Sequence, residues 1–247
     1  MGDSIDKVAL ITLQELADKN ENAEYIEHDL IAFPHMYSDA RDIEISALVT
    51  SCFAFGGKAE AKIILDSIHK NMNNAGGPYQ WVRTFAWTSI PYVNDALYFN
   101  IKNKDLYNLA DRLHTLSIKA ENDERYSGEI MNVVMQGLEP VVALKRIFAL
   151  YPPSFLVNEG KDNNNFRFHL LLRWMCRKDS DIDFGIWDFI STEELKAPVS
   201  KKTRMALVNL GLITPDDSVE RIYDVFNVAF PYDPARGSFI IGSEDYE

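Results

Sequence analysis

Residues 166–187 read FRFHLLLRWMCRKDSDIDFGIW, and they contain the clearest helical segment of the chain. Residues 166–175 are strongly apolar, whereas the basic residues Arg173, Arg177 and Lys178 gather towards the C-terminal end of the segment. Cations in the last turn of a helix interact favourably with the helix dipole. This stretch therefore predicts a buried helix with a basic C-terminal end.

The rest of the chain has the same helical periodicity. Residues 39–55 are apolar on most sides and predict a buried central helix that stops at Gly56-Gly57. Pro140 suits the first turn of a helix that ends before Pro152-Pro153. Alternation typical of strands is absent, so we predict an all-α fold with helix over more than half of the residues and no sheet larger than a minor hairpin.

Composition limits the class of protein. The chain has 247 residues, which suits a single helical domain with a real core. Its two cysteines, Cys52 and Cys176, lie in apolar runs, so we expect no disulfide and a reducing compartment. We expect no signal peptide, no membrane span and a cytoplasmic location. The net charge of −12 argues against tight binding of DNA, because phosphate contacts usually require a basic surface.

Motifs for metals and cofactors are missing from the sequence. None of the five histidines, such as His169, is spaced from another ligand as in a known metal site, so we expect no metal. Gly56-Gly57-Lys58 is too short for a phosphate-binding loop and suits a helix stop, so we expect no cofactor. The four tryptophans could stack on a flipped base, but core packing is the favoured interpretation.

Short motifs along nearly the whole chain match one known family. Its pattern is carried by Phe33-Pro34-His35, Asp42-Ile43-Glu44-Ile45, Ala54-Phe55-Gly56, Arg173-Trp174-Met175, Asp183-Phe184-Gly185-Ile186-Trp187 and Asp233-Pro234. On these residues the chain resembles the bacterial family catalogued as domain of unknown function 2400. A Pro-Leu-Asp-Thr-His element of that family is in turn similar to a catalytic element of helix-hairpin-helix DNA glycosylases.

The resemblance implies a two-lobed, helix-hairpin-helix glycosylase-like fold. The lobe boundary would lie near Glu121–Glu139, and the hairpin around Pro152–Arg167. It also implies a site for DNA repair in which a lysine attacks the sugar of a flipped-out nucleotide. The reaction needs a neutral amine as nucleophile and a carboxylate that stabilises the positive charge on the sugar.

This sequence departs from the family at those positions. Aligned through Arg173-Trp174-Met175, the lysine falls on Phe166, beside Arg167. Aligned through Leu210-Gly211-Leu212, the aspartate falls on Ser200 and the histidine on Lys202. Ser200 still suits the N-cap of the following helix, because serine and aspartate cap about equally well. Both catalytic charges are therefore lost while the helix start is kept.

Three functions remain open. The first is a non-catalytic relative of the glycosylases that binds nucleic acid, weakly, or a protein partner at the former cleft. The candidate cleft residues are Phe166, Arg167, Arg173, Trp174, Asp183, Trp187, Ser200, Lys201, Lys202 and Arg204. The second is an active glycosylase or lyase with Lys201 or Lys202 as a relocated nucleophile and Asp183, Asp188 or Glu194 as its acid partner. The third is a helical protein-interaction scaffold, which the net charge favours. The oligomeric state stays open.

Overall fold

A computed structural model describes residues 6–122, 129–157 and 164–242, and helices cover more than half of them. In chain order the elements are α1 (Lys7–Asn20), α2 (Glu24–His28), α3 (Ala40–Ser51), α4 (Lys58–Asn74), α5 (Pro78–Arg83), β1 (Ala96–Tyr98), β2 (Ile101–Lys102), α6 (Asn103–Asn122), α7 (Ile130–Met135), α8 (Pro140–Phe148), α9 (Phe166–Cys176), α10 (Lys201–Asn209) and α11 (Val219–Ala229). Within the described ranges the one sheet is the antiparallel pair β1–β2. The all-α prediction is confirmed. None of the described helices has the length and apolar character needed to cross a membrane.

The chain forms two compact units. The first combines residues 1–29 with residues 159–247, and the second comprises residues 30–158. Residues 121–139, where the sequence placed a lobe boundary, belong to the second unit, and residues 123–128 lie outside the described residues. Residues 158–163 of the predicted hairpin at 152–167 also lie outside them. The boundaries between the units lie at residues 29–30 and 158–159. The N-terminal residues belong to the first unit because α1 packs against the C-terminal segment.

In the first unit, long-range hydrogen bonds hold α1 against the C-terminal segment. The side-chain amide of Gln14 donates to the carbonyl of Ala229 at 2.7 Å, and that of Asn20 donates to the carbonyl of Phe239 at 2.8 Å. Phe239 lies in a 3-10 helix that spans Pro234–Ile240 and is buried along most of its length. The two ends of the sequence thus share one core.

In the second unit, α3 is the central helix. Every residue from Ile43 to Ser51 is buried, which confirms the predicted buried helix. The carboxylate of Glu44 is also buried, and it accepts the backbone N–H groups of Ile130 and Met131 at 2.8 and 3.0 Å. The first N–H groups of a helix lack partners within the helix, and a carboxylate is a strong acceptor for them. Glu44 therefore caps α7 from a helix distant in sequence.

His69 is another buried titratable group of this core. Its Nδ1 lies 2.9 Å from the carbonyl of Leu65 and its Nε2 lies 2.8 Å from the hydroxyl of Ser46. A carbonyl can only accept, so Nδ1 carries the proton and Ser46 donates to Nε2. The ring also packs against Phe33 and Tyr37. Burial lowers the pKa of His69 from 6.5 to about 4, so the imidazole is neutral in the folded protein near pH 7.

We predict that His69 makes the protein less stable as the pH falls from 6.5 towards 4. The unfolded chain takes up a proton on His69 near pH 6.5, whereas the folded chain does so only near pH 4. The stabilisation is therefore complete above pH 6.5, and its loss by pH 4 reaches about 3 kcal/mol at most. Urea unfolding of wild type and His69→Gln across this pH range measures the effect. The same substitution at the exposed His28 is the control, and equal pH dependence in all three proteins would contradict the prediction.

Candidate functional site

The starts of α9 and α10 are neighbours in the first unit. The side-chain amide of Asn164, two residues before α9 residue Phe166, donates to the carbonyl of Val199 at 2.9 Å. Val199 directly precedes Ser200 at the start of α10. The hydroxyl of Tyr223 on α11 donates to the carbonyl of Asn164 at 3.2 Å. The structure thus brings together the chain segments that carry Phe166 and Ser200.

Ser200 is the N-cap of α10, as the sequence predicts. Its hydroxyl accepts the backbone N–H of Thr203 at 3.0 Å, and the hydroxyl of Thr203 accepts the backbone N–H of Ser200 at 3.2 Å. This reciprocal capping box satisfies two donors that the helix itself leaves without partners. Replacing such a cap by alanine costs about 1 kcal/mol. Ser200 therefore keeps the fold-level role that an aspartate would have, without the charge.

Phe166 begins α9 and is half-buried. Its backbone N–H donates to the side-chain carbonyl of Asn164 at 3.1 Å, and Asn165 between them adopts a left-handed conformation with φ of 52°. A benzyl side chain has neither an amine nor a titratable proton, so it cannot attack an anomeric carbon. The start of α9 thus carries an apolar ring at the position to which the resemblance assigned a lysine.

Basic residues surround the start of α10. Lys201 is exposed and Lys202 is half-buried, and the first turn of the helix contains no acidic residue. The ammonium of Lys196 lies 4.8 Å from the ring centroid of Tyr223. Arg204 differs from these lysines, because its guanidinium donates to the backbone carbonyl of Asp217 and so holds the turn that follows α10. The lysines thus place positive charge near the start of α10.

Four residues predicted to line the cleft are instead core residues of the first unit. Arg173, Trp174 and Trp187 have 0% exposure, and the side chain of Asp183 is also fully buried. Arg167 is buried as well, with its guanidinium 5.7 Å from the ring centroid of Phe168. The sequence analysis named these residues as candidates for the cleft, and the structure places them in the core, where Arg173 and Asp183 pair with each other.

Asp183 is the acceptor at the centre of that core. One carboxylate oxygen lies 3.2 Å from Nε of Arg173, and the other lies 2.5 Å from Nη1 of Arg177. Arg173 also donates to the hydroxyl of Ser238 at 3.0 Å, and its guanidinium stacks on Phe239. We define these three charged residues, Arg173, Arg177 and Asp183, as the buried ion cluster. Its members come from α9 and from the segment just after it.

Arg177 connects the buried ion cluster to acidic residues near both ends of the sequence. This guanidinium also contacts Glu21 after α1 and Asp233 before the C-terminal 3-10 helix, at 2.5 and 2.8 Å. Burial alone would lower the pKa of Arg177, but Asp183, Asp233 and Glu21 raise it above its usual value. Burial likewise tends to raise the pKa of Glu21, yet Arg177 and Arg236 hold it below its usual range. Glu21 and Arg236 were not found from the sequence, because nothing local marks them as partners of α9.

The segment Asp183–Trp187 closes the C-terminal end of α9. The backbone N–H of Phe184 donates to the carbonyl of Trp174 at 2.7 Å, and that of Trp187 donates to Met175 at 2.8 Å. Gly185 has φ of +62°, and a Cβ there would lie 2.7 Å from Cα of Lys178. The turn therefore needs glycine at this position, and its N–H groups satisfy carbonyls that the helix leaves without partners.

The proposed acid partners of a relocated lysine lie in different settings. Asp183 is enclosed in the buried ion cluster and is committed to two arginines. Asp188 is exposed and lies 3.4 Å from the ammonium of Lys178. Glu194 is exposed at the end of a short 3-10 helix, Thr192–Glu194. The buried ion cluster thus removes Asp183 from the acids that could accept a proton from Lys201 or Lys202.

A polar cavity of about 610 Å³ lies at the opposite end of α9 from Phe166. Its lining includes Glu21, Arg177, Asp233 and Arg236, which already form ion pairs with one another. Arg236 makes a further pair with Asp18 on α1. The charges of these four residues are therefore balanced within the unit.

Together these features define an all-α protein with a buried ion cluster at one end of α9 and two adjacent helix starts at the other end. A family model described as "Protein of unknown function (DUF2400)" matches residues 29–245, and the chain belongs to that family. No curated protein and no solved structure matches it. The match includes both the motifs of the buried ion cluster and the degenerate positions Phe166 and Ser200.

We predict that Asp183→Asn destabilises the protein by about 3 kcal/mol or more, because two buried guanidinium groups lose their shared counter-charge. The control is Asp188→Asn, which removes one partner of an exposed ion pair and should cost less than about 1 kcal/mol. Urea unfolding monitored by circular dichroism measures both values. If Asp183→Asn lowers the free energy of unfolding by no more than the control variant does, the buried ion cluster does not stabilise the unit.

Proposed function

We propose that this protein is a non-catalytic relative of helix-hairpin-helix DNA glycosylases, and that it binds the phosphate backbone of nucleic acid at the starts of α9 and α10. One observation supports the proposal above all. At two adjacent helix starts, the amine and the carboxylate required for base excision are replaced by Phe166 and Ser200, while Lys201 and Lys202 remain beside them. The glycosylase relationship itself rests on the sequence resemblance.

The loss of catalysis follows from the chemistry. Schiff-base formation needs an uncharged amine that attacks the sugar, and a fixed negative charge stabilises the cation that develops there. Phe166 supplies neither, and the hydroxyl of Ser200 is engaged with Thr203 in the capping box. A relocated lysine would also need a nearby acid, and Asp183 is committed to the buried ion cluster. The remaining acids, Asp188 and Glu194, keep the relocated-lysine enzyme as the alternative to test.

Phosphate binding is favoured by the local charge. Between Leu195 and Pro215 the chain has four basic residues and no Asp or Glu, although its net charge is −12. A cation in the first turn of a helix is unfavourable by about 0.3–1 kcal/mol, because it faces the positive end of the helix dipole. Lys201 and Lys202 both occupy that turn. An anion bound there offsets this cost and can also accept backbone N–H groups.

The predicted binding is weak and depends on salt. We expect binding to a short DNA duplex that falls steeply between low and physiological salt, because the overall negative charge of the protein repels DNA and counterion release supplies most of the affinity. Replacing Lys201 and Lys202 by Gln should lower the slope of log K against log salt by about 2, one for each lost phosphate contact. Fluorescence anisotropy at several salt concentrations measures the slope.

The matched control for this experiment is Lys7→Gln with Lys19→Gln. Both lysines are exposed on α1 in the same unit, so the net charge changes equally without touching α10. An equal loss of binding in both double variants would assign the effect to overall charge and overturn the proposed surface. Absence of any DNA binding at low salt would favour the protein-interaction scaffold. Sub-micromolar binding that ignores salt would also contradict the proposal.

We further predict no base excision and no borohydride-trapped adduct with DNA that contains abasic sites or oxidised bases. An active glycosylase-lyase assayed on the same DNA serves as the positive control. The wild-type protein should give no covalent species, because the amine and carboxylate positions are Phe166 and Ser200. An adduct that disappears on Lys201→Ala or Lys202→Ala would instead establish the relocated-lysine enzyme.

A further inference from the structure

A second, smaller cavity lies in the second unit, and none of its lining residues belongs to the candidate site described above. Its volume is about 210 Å³, and residues of α4, α5, α6, β1 and the 3-10 helix Ala86–Ser89 contribute to its lining. For comparison, a cavity of about 150 Å³ holds benzene, whereas sites for drug-sized ligands have roughly 300–1,000 Å³. The cavity therefore has room for one planar system of one or two rings.

The described side chains that line this cavity are all uncharged. The neighbouring sequence explains this in part, because residues 67–94 contain no Asp or Glu in a chain that has 37 acidic residues. Apolar walls come from residues such as Trp81 and Leu106. A ligand that is ionised within the cavity would find no counter-charge there, so the buried part of the ligand must be neutral.

Polar groups occur at a few points of the lining, as in sites that orient a ligand. The side-chain carbonyl of Asn71 accepts the indole N–H of Trp81 at 2.7 Å, and this bond fixes the amide. Its Nδ2 lies 3.4 Å from the hydroxyl of Ser89, which is a long contact. A side-chain amide has two N–H donors, so Asn71 retains capacity for a ligand. Ser67 and Asn103 add a hydroxyl and a second amide.

From this combination we infer that the cavity binds an uncharged nitrogen heterocycle of nucleobase size. The apolar walls contact the faces of the ring system, while the amides and hydroxyls hydrogen-bond to its edge. Lys70 is exposed one helical turn from Ser67 on α4, where its ammonium suits a phosphate that remains outside the cavity. The base can belong to a free nucleotide or to a single strand. This inference does not depend on the proposed phosphate surface, which lies in the other unit.

Titration calorimetry of the full chain with a purine and a pyrimidine nucleoside 5′-monophosphate, and with a four-nucleotide single strand, tests the inference. We expect saturable binding that Ser67→Phe weakens at least tenfold, because a ring at this exposed lining position narrows the cavity. Asn103→Leu should weaken it severalfold by removing one polar group. Asn74→Phe places the same ring at an exposed position of α4 outside the lining and should change binding less than twofold.

A substitution at Tyr92 distinguishes a free nucleotide from a single strand as the source of the base. Tyr92 is 57% exposed and lies next to the cavity-lining Pro91. A second base of a single strand can stack on such a ring. If the strand is the natural form, Tyr92→Ala weakens its binding about tenfold and leaves that of the mononucleotide unchanged. If the free nucleotide is the natural form, Tyr92→Ala affects neither. No saturable binding of any of the three ligands, or equal binding by wild type and Ser67→Phe, would overturn the inference.

Discussion

The first unit depends on one interaction, the pairing of the buried Asp183 carboxylate with the guanidinium groups of Arg173 and Arg177. A carboxylate withdrawn from water loses several kcal/mol of hydration free energy unless charged donors replace the solvent. Here both oxygens have such donors. Because Arg177 also contacts Glu21 and Asp233, the same cluster joins α9 to segments from both ends of the chain. A short helix with its following turn thus organises distant parts of the sequence.

This cluster gives the two ends of α9 different roles. At the C-terminal end, the turn at Gly185 and the ion pairs fix the backbone, and their geometry tolerates little change. At the N-terminal end, Phe166 is half-buried and Ser200 needs only a cap, so side-chain chemistry can change while the helices stay in place. The motifs on which the family resemblance rests most specifically, Arg173-Trp174-Met175 and Asp183–Trp187, therefore lie where the fold is fixed, whereas Phe166 and Ser200 lie at or beside the other end of α9.

Local patterns in the sequence were sufficient for the helices, for the buried α3 and for the cap at Ser200. They were insufficient to show that Arg173 and Asp183, named as candidate cleft residues, are buried in the core. Their burial depends on partners such as Ser238, far away in the sequence. Contacts between distant segments, which periodicity does not encode, decide each of these cases.

Under the proposed function, the two substitutions act together on the charge of the site. An aspartate at position 200 would stabilise a positive charge on a sugar and would offset both the dipole of α10 and the nearby Lys201 and Lys202. Serine keeps the cap but carries no negative charge that would offset them. With Phe166 at the position of the amine, no sugar cation forms at the site, so a carboxylate there would have no developing positive charge to stabilise. A site built to stabilise a developing cation thereby becomes one that attracts an anion, which is the change expected when base excision is lost and contact with phosphate remains.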